Sequence, residues 1–149
     1  MISSRRTLTI PALVGTLVAI AFATAASGAL APNKAWRGDF KVYGTPVTLK
    51  AYSSGKITMA FTASCSFAGK AAEVKAVGVG RRHGGTFTIA KATASGGTGV
   101  DAFTVTGGKA SNASASGKVS ATFGRDVAGA HYRCSLDDSF TAKRLKRVP

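Results

Sequence analysis

Alternate residues are apolar in the segment between Ile57 and Cys65. Position by position, the segment reads Ile57, Thr58, Met59, Ala60, Phe61, Thr62, Ala63, Ser64 and Cys65. A repeat of two residues is typical of a β-strand that buries one face and exposes the other. This segment therefore predicts a sheet with one face in a core.

Shorter runs with the same alternation continue along the chain, and turn-forming residues separate them. The predicted turns are Gly44-Thr45-Pro46, Ser53-Ser54-Gly55, Gly84-Gly85, Gly96-Gly97, Gly107-Gly108 and Asp137-Asp138. No segment after the N-terminal region has apolar residues at helical spacing, and residues 110–116 are predicted as a loop or a plain edge strand. We expect an all-β fold, a single antiparallel β-sandwich or barrel of about 8–9 short strands.

The N-terminal region has the order of an export signal. Arg5 and Arg6 precede an uncharged apolar stretch over residues 8–26, and small residues follow it. This order predicts a signal peptide over residues 1–28, cleaved near residues 25–31. A twin-arginine signal and a retained membrane anchor are the alternatives, but the Ala, Thr and Gly content makes a weak membrane span. We expect a secreted or cell-wall-associated protein without a stable membrane anchor, comprising a β-domain over 36–144 and a basic tail over 145–149.

The chain has two cysteines, Cys65 and Cys134. Two cysteines allow one connectivity, and an even number in an exported protein usually means a disulfide. Each lies in phase with the apolar residues of a predicted strand. They lack the C-x-x-C spacing of a redox-active pair, so we predict a structural Cys65–Cys134 disulfide.

The chain is strongly basic, with 20 Lys and Arg against 6 Asp and Glu and a formal net charge of +14. Such a surplus favours polyanions, although it also serves solubility alone. Two clusters are candidates for anion binding, and they comprise Arg81 and Arg82, and Lys143, Arg144, Lys146 and Arg147. Few aromatic residues are available to stack on bases, so the expected partner is an anionic polysaccharide or cell-wall polymer rather than a specific nucleic acid.

The candidates for catalysis are few. Asp137 and Asp138 are adjacent and are predicted to form a turn, and His131 has no partner at metal-ligand spacing. The sequence therefore predicts no catalytic residue, no metal site and no cofactor. A small secreted hydrolase or a hydrolase inhibitor is the alternative function.

Several short motifs resemble those of one group of proteins. The motifs are Trp36-Arg37-Gly38-Asp39-Phe40, Gly85-Thr86-Phe87-Thr88-Ile89, the segment Ala115 to Phe123, and a late Cys followed by Ser139-Phe140-Thr141-Ala142-Lys143-Arg144. Together they are similar to uncharacterised small secreted β-proteins of GC-rich soil bacteria. The chain departs from them over residues 135–140, where Asp, Gly, Val and Trp are expected. The resemblance implies a β-domain with a disulfide, and it implies no activity and no site residue.

Overall fold

The computed structural model describes residues 32–146, which form eight strands in succession. The strands are β1 Lys34–Phe40, β2 Pro46–Ala51, β3 Lys56–Phe67, β4 Lys70–His83, β5 Thr86–Ala94, β6 Gly99–Ala110, β7 Ser114–Val127 and β8 Ala130–Arg144. The predicted signal peptide and Arg147 lie outside the described residues. Within the described part of the chain, no helix has the length and apolar character needed to cross a membrane.

The strands form a closed antiparallel barrel. Each strand pairs with the next one along the chain, and β1 pairs with β8 to complete the ring. The all-β prediction is confirmed, and of the two expected architectures the chain adopts the barrel. Closure gives every strand two neighbours, although the ladder between β5 and β6 stops at Ile89 and Val105.

Inward-facing side chains fill the barrel. In β3 the residues Ile57, Met59, Phe61, Ala63 and Cys65 are all buried, as their alternation predicts. Phenylalanine rings from five strands meet around Phe61, whose ring centroid lies 5.1 Å from that of Phe40 and 6.2 Å from that of Phe103. An eight-stranded barrel is just wide enough for side chains to fill it, so this interior is the hydrophobic core.

The barrel has two ends that differ in their turns. One end contains the start of β1, the end of β8 and the turns at 52–55, 84–85 and 111–113. We call it the cationic end, because several Lys and Arg residues lie there. The turns at 41–45, 68–69, 95–98 and 128–129 lie at the other end, which we call the disulfide end. Because the strands run alternately up and down, odd-numbered strands begin and even-numbered strands finish at the cationic end.

The predicted disulfide between Cys65 and Cys134 is present. It joins β3 to β8, which are not neighbours in the ring, with a Cα–Cα distance of 5.6 Å. The intervening strands β1 and β2 are only 7 and 6 residues long, whereas β3 has 12 residues and β8 has 15. The longer strands extend past the β1–β2 turn, and the disulfide links them there.

Two predicted turns are wrong. Asp137 and Asp138 lie inside β8, so the two strands predicted around them are one continuous strand. Gly107 and Gly108 lie inside β6, where the register with β7 shifts between Thr106 and Lys109. Gly107 has φ of +61°, and a Cβ atom on Gly108 would lie 2.4 Å from the carbonyl oxygen of Phe87. The glycine pair therefore forms a β-bulge, which needs the conformational freedom that a turn also needs.

Candidate functional site

The cationic residues predicted from the sequence lie at one end of the barrel. Arg81 and Arg82 lie near the end of β4, whereas Lys143 and Arg144 end β8 and Lys146 follows it. Since both strands are even-numbered, both finish at the cationic end. Arg147 lies outside the described residues.

The two predicted clusters do not touch as one patch. Strands β4 and β8 are separated by three strands in either direction around the ring. What connects the clusters is a set of further cations on the strands β1, β2 and β3. Sequence reasoning did not single out these residues.

Near the cationic end, each of five successive strands carries an outward-facing cation. In ring order they are Lys143 on β8, Arg37 on β1, Lys50 on β2, Lys56 on β3 and Arg81 on β4. We call these five residues the cationic arc. In each strand at least one flanking residue is more buried than the cation, which places the five side chains on the outer surface.

Strand register places the members of the arc next to one another. Arg37 lies directly opposite Lys143, and Lys56 lies directly opposite Arg81. Lys50 pairs with Ala35 on one side and Thr58 on the other, so it is diagonal to both Arg37 and Lys56. Directly opposed residues on antiparallel strands are about 5 Å apart and diagonal ones about 7–8 Å. The arc is therefore a continuous row of positive charge.

The charges of the arc are not neutralised within the described residues. The ion pairs of residues 32–146 involve the cations Lys118, His131 and Arg133, so no carboxylate oxygen lies within 4.0 Å of an arc nitrogen. Asp39 lies on the same face of β1 as Arg37, two residues away, and forms no ion pair. Like charges directly opposite on neighbouring strands are destabilising. The arc contains two such pairs.

Concave surfaces run along both ends of the arc. A groove of about 650 Å³ over β1 and β8 is lined by Arg37, Asp39, Lys41, Ser114, Thr141 and Lys143, among others. A second depression of about 420 Å³ is lined by Ser54, Lys56 and Arg81. The ammonium of Lys56 also lies 5.6 Å from the centroid of the Tyr52 ring. These surfaces combine cationic groups with hydroxyl groups, both of which donate hydrogen bonds to anionic oxygens.

The remaining cations of this end lie off the arc. Lys34 donates a hydrogen bond of 2.7 Å to the Asn112 side-chain oxygen. Arg82, Arg144 and Lys146 surround the rim, and the backbone amide of Arg82 donates to the carbonyl oxygen of Gly55. The signal that identifies Arg37, Lys50 and Lys56 is an outward position near the correct end of a strand. That position is read from the sequence only when the strand order is known.

Asp137 and Asp138 have separate structural roles on opposite faces of β8. Asp137 points outward and forms an exposed ion pair of 3.0 Å with Lys118. Asp138 is only 3% exposed, and its Oδ2 accepts hydrogen bonds from the amides of Val42 at 2.9 Å and Tyr43 at 3.1 Å. Its Oδ1 accepts a further bond of 2.7 Å from the amide of Ser139. This carboxylate therefore holds the β1–β2 turn against β8.

His131 lies in a charged cluster that the sequence did not predict. Its Nε2 lies 2.9 Å from Asp101 Oδ2, and its Nδ1 lies 2.6 Å from Asp126 Oδ1. Arg133 Nε donates a bond of 3.2 Å to the same oxygen of Asp101. The hydrogen bonds to Asp101 and Asp126 raise the pKa of His131, and the bond from His131 lowers the pKa of Asp101. A protonated His131 donates to both carboxylates, so the cluster joins β6, β7 and β8.

The cluster does not have the arrangement of a metal centre. Among residues 32–146, no group of three or more His, Cys, Asp or Glu side chains is placed to hold a metal ion. Within the described residues, both side-chain partners of His131 are carboxylates, those of Asp101 and Asp126. The two contacts orient the imidazole and favour its charged form.

Comparison with known proteins gives no match: no protein-family model, no curated protein and no solved structure is similar to this chain. The resemblance to small secreted bacterial β-proteins stays a prediction.

Proposed function

We propose that this protein is exported from the cell and binds an anionic polymer, a polysaccharide or cell-wall polymer, through the cationic arc. One observation supports this proposal most strongly. Five outward-facing cations on five successive strands have no carboxylate partner within residues 32–146, although two pairs of them repel each other directly across the sheet. An arrangement that lowers the stability of the free protein is understandable where a ligand neutralises it.

The spacing of the arc suits a repeated anion better than a single one. The Cβ atoms of neighbouring arc residues are about 5–8 Å apart, and the row crosses five strands, which is farther than one small anion reaches. A polymer with an anionic group on each repeat contacts several at once and releases counterions from each. Arg37 and Arg81 add planar guanidinium groups, which bind carboxylate, sulfate or phosphate oxygens through two hydrogen bonds.

Export is part of the proposal. The Cys65–Cys134 disulfide is of the kind that persists in oxidising compartments, and the sequence begins with the pattern of a signal peptide. Sequencing the N-terminus of protein recovered outside the cell tests this step. We expect a mature chain that begins near residues 25–31, and an intact Met1 in that fraction would contradict the proposal.

The proposal assigns no catalytic step and no cofactor. Asp137 is paired with Lys118, Asp138 is occupied by three backbone amides, and His131 is held between two carboxylates. These contacts account for the three residues considered above as candidates for catalysis. Binding alone is the function that the geometry supports best.

The decisive experiment measures retention of the mature protein on immobilised cell-wall polymer, heparin and DNA over a salt series. We compare Arg37→Ala/Lys143→Ala with the control Lys70→Ala/Lys75→Ala, which removes the same charge from β4 towards the disulfide end. The arc variant should bind at least ~10-fold more weakly, and the slope of log affinity against log salt should fall by about 2. The control should change affinity less than ~2-fold.

Equal losses of affinity in the arc variant and the control would show that binding depends on the total positive charge and not on its position. Complete loss of binding by physiological salt in the unmodified protein would also contradict the proposal. Thermal unfolding of each variant establishes that the barrel is intact. Because the substituted side chains point outward, neither midpoint should fall, and that of the arc variant should rise slightly with the loss of the Arg37–Lys143 repulsion.

A further inference from the structure

A slit in the barrel wall lies between β5 and β6. Regular pairing of these strands ends at Ile89 and Val105, and no further ladder pair joins residues 90–94 to residues 99–104. A cleft of about 480 Å³ lies along this segment, and its lining includes residues of the neighbouring strand β4. Its volume falls in the range of small-molecule sites.

The lining of the slit is mostly apolar. Val77 and Val79 point outward from β4 and are 41% and 43% exposed, and Phe103 at the base is 8% exposed. The remaining apolar lining residues are Ala90, Ala92, Val100 and Ala102. Outward positions of antiparallel strands are usually polar, so neighbouring valines beside an apolar cleft are a feature that a ligand would explain.

The charged groups that line the slit are the cation of Lys91 and the carboxylate of Asp101. Lys91 lies directly opposite Val79, and among the described residues no carboxylate oxygen lies within 4.0 Å of its ammonium. Asp101 also lines the slit, but it accepts hydrogen bonds from His131 and Arg133. Arg81 lies two residues beyond Val79 on the same face of β4. The charge that is left to attract a ligand is therefore positive and lies beside the apolar surface.

We propose that this slit binds a single-chain amphiphile with an anionic head group, typified by a medium-chain carboxylate. The hydrocarbon chain lies along Val77 and Val79 towards Phe103, and the carboxylate accepts hydrogen bonds from Lys91. Apolar burial drives binding, and the cation fixes the direction in which the chain enters. The residues changed to test the two sites are separate, since the apolar lining of the slit lies on β4, β5 and β6 and the Arg37–Lys143 pair lies on β1 and β8.

Calorimetric titration with octanoate, decanoate and dodecanoate below their micelle concentrations tests this inference. Each added methylene that is buried should strengthen binding about fourfold until the slit is filled. The Val77→Ser/Val79→Ser variant should bind dodecanoate at least ~10-fold more weakly. Val42→Ser is the matched control, because Val42 is an exposed valine in the distant β1–β2 turn, and it should bind normally.

A Lys91→Met variant separates the head group from the chain. It should weaken binding of dodecanoate but leave binding of the uncharged dodecanol unchanged, because only the carboxylate interacts with the ammonium. Affinity that is independent of chain length, or unaffected by the serine substitutions, would overturn the proposal. So would a protein dimer that the serine variant abolishes, since a second copy would then be the occupant.

The two proposals fail separately. Arg37→Ala/Lys143→Ala should keep its affinity for dodecanoate, and Val77→Ser/Val79→Ser should keep its retention on the anionic polymer. If both variants lost both polymer retention and dodecanoate binding, the arc and the slit would be parts of one ligand-binding surface.

Discussion

The two ends of the barrel differ in how their side chains are held. At the disulfide end, the Cys65–Cys134 bridge joins β3 to β8, and the Asp138 carboxylate accepts hydrogen bonds from three backbone amides. Arg125 Nη2 donates hydrogen bonds to the carbonyl oxygen of Gly96 and the hydroxyl of Thr98. The Arg125 guanidinium also lies 5.0 Å from the centroid of the Phe67 ring. At the cationic end, Trp36 donates a bond of 3.2 Å to Ser111 and Lys34 binds Asn112. The comparison indicates that one end stabilises the fold, which allows the other to carry unpaired charge.

Removing the disulfide should have the largest effect on this comparison. The cysteines are 69 residues apart, and the chain-entropy estimate for a loop of that length is about 4 kcal/mol of unfolding free energy. Denaturation of Cys65→Ser/Cys134→Ser by urea should show this loss. Polymer retention under conditions where the variant is folded should not change, and a parallel loss of retention would contradict the separation of the two ends.

Asp138→Ala should have the next largest effect. It leaves the amides of Val42, Tyr43 and Ser139 without their acceptor in a partly buried site, at a cost of about 3 kcal/mol. The neighbouring Asp137→Ala is the control, because its ion pair with Lys118 is exposed and should contribute less than ~1 kcal/mol. Urea denaturation compares the two, and similar losses would show that Asp138 does not hold the turn.

Reversing one charge of the arc should change stability and binding in opposite directions. In Arg37→Glu the new carboxylate lies opposite Lys143, so a repulsive pair becomes attractive and the barrel should gain about 0.5 kcal/mol. Retention on the anionic polymer should fall. If denaturation shows no gain in stability, repulsion within the arc is weaker than we infer.

The pH dependence of the His131 cluster should be the smallest effect, because its groups are partly exposed. The pKa of His131 is raised from 6.5, so its stabilising contribution is complete below pH 6.5 and is lost as the pH rises through the raised pKa. The pKa of Asp101 is lowered from 3.8, so its contribution is lost only as the pH falls through that lower value. Unfolding free energies of the protein and of His131→Ala should therefore differ more at about pH 6 than at about pH 9. A difference that grew with pH would contradict this assignment.

The sequence predicted the strands well wherever one face was apolar and the other polar. That pattern identified β3, because the alternation of apolar and polar residues reflects which face of the strand is buried. It also placed both cysteines on buried faces, in agreement with the observed disulfide. It did not identify β8 as one strand, because the buried Asp138 is satisfied by amides of the distant β1–β2 turn. Contacts between residues far apart in the chain have no local signal.

Two hairpin turns also have no recognisable signal in the local sequence. Ala68 and Gly69 have φ of +51° and +75°, and Ala128 and Gly129 have φ of +51° and +82°. Positive φ at both central residues is the geometry of tight hairpins, which usually select Asn-Gly or Asp-Gly. Alanine at the first position is not a recognised turn signal, so the long hairpins around it impose the conformation.

Only two of the five residues of the cationic arc were predicted, because the other three become neighbours only through strand pairing. Arg81 and Lys143 belong to visible clusters, whereas Arg37, Lys50 and Lys56 are single cations in separate strands. Their alignment depends on strand register and on ring closure between β1 and β8. A sequence contains these residues, but it does not display which of them become neighbours.

The Cys65–Cys134 bridge also changes how the ring can close during folding. Pairing of Trp36 with Arg144 brings together the two ends of the barrel chain, which is the slowest kind of contact to form because the intervening loop is long. Once the bridge exists, the shortest covalent path between these residues is less than half as long. Each halving of a loop lowers its closure cost by about 0.6 kcal/mol. The oxidised chain should therefore complete its ring faster than the reduced chain, in addition to being more stable once folded.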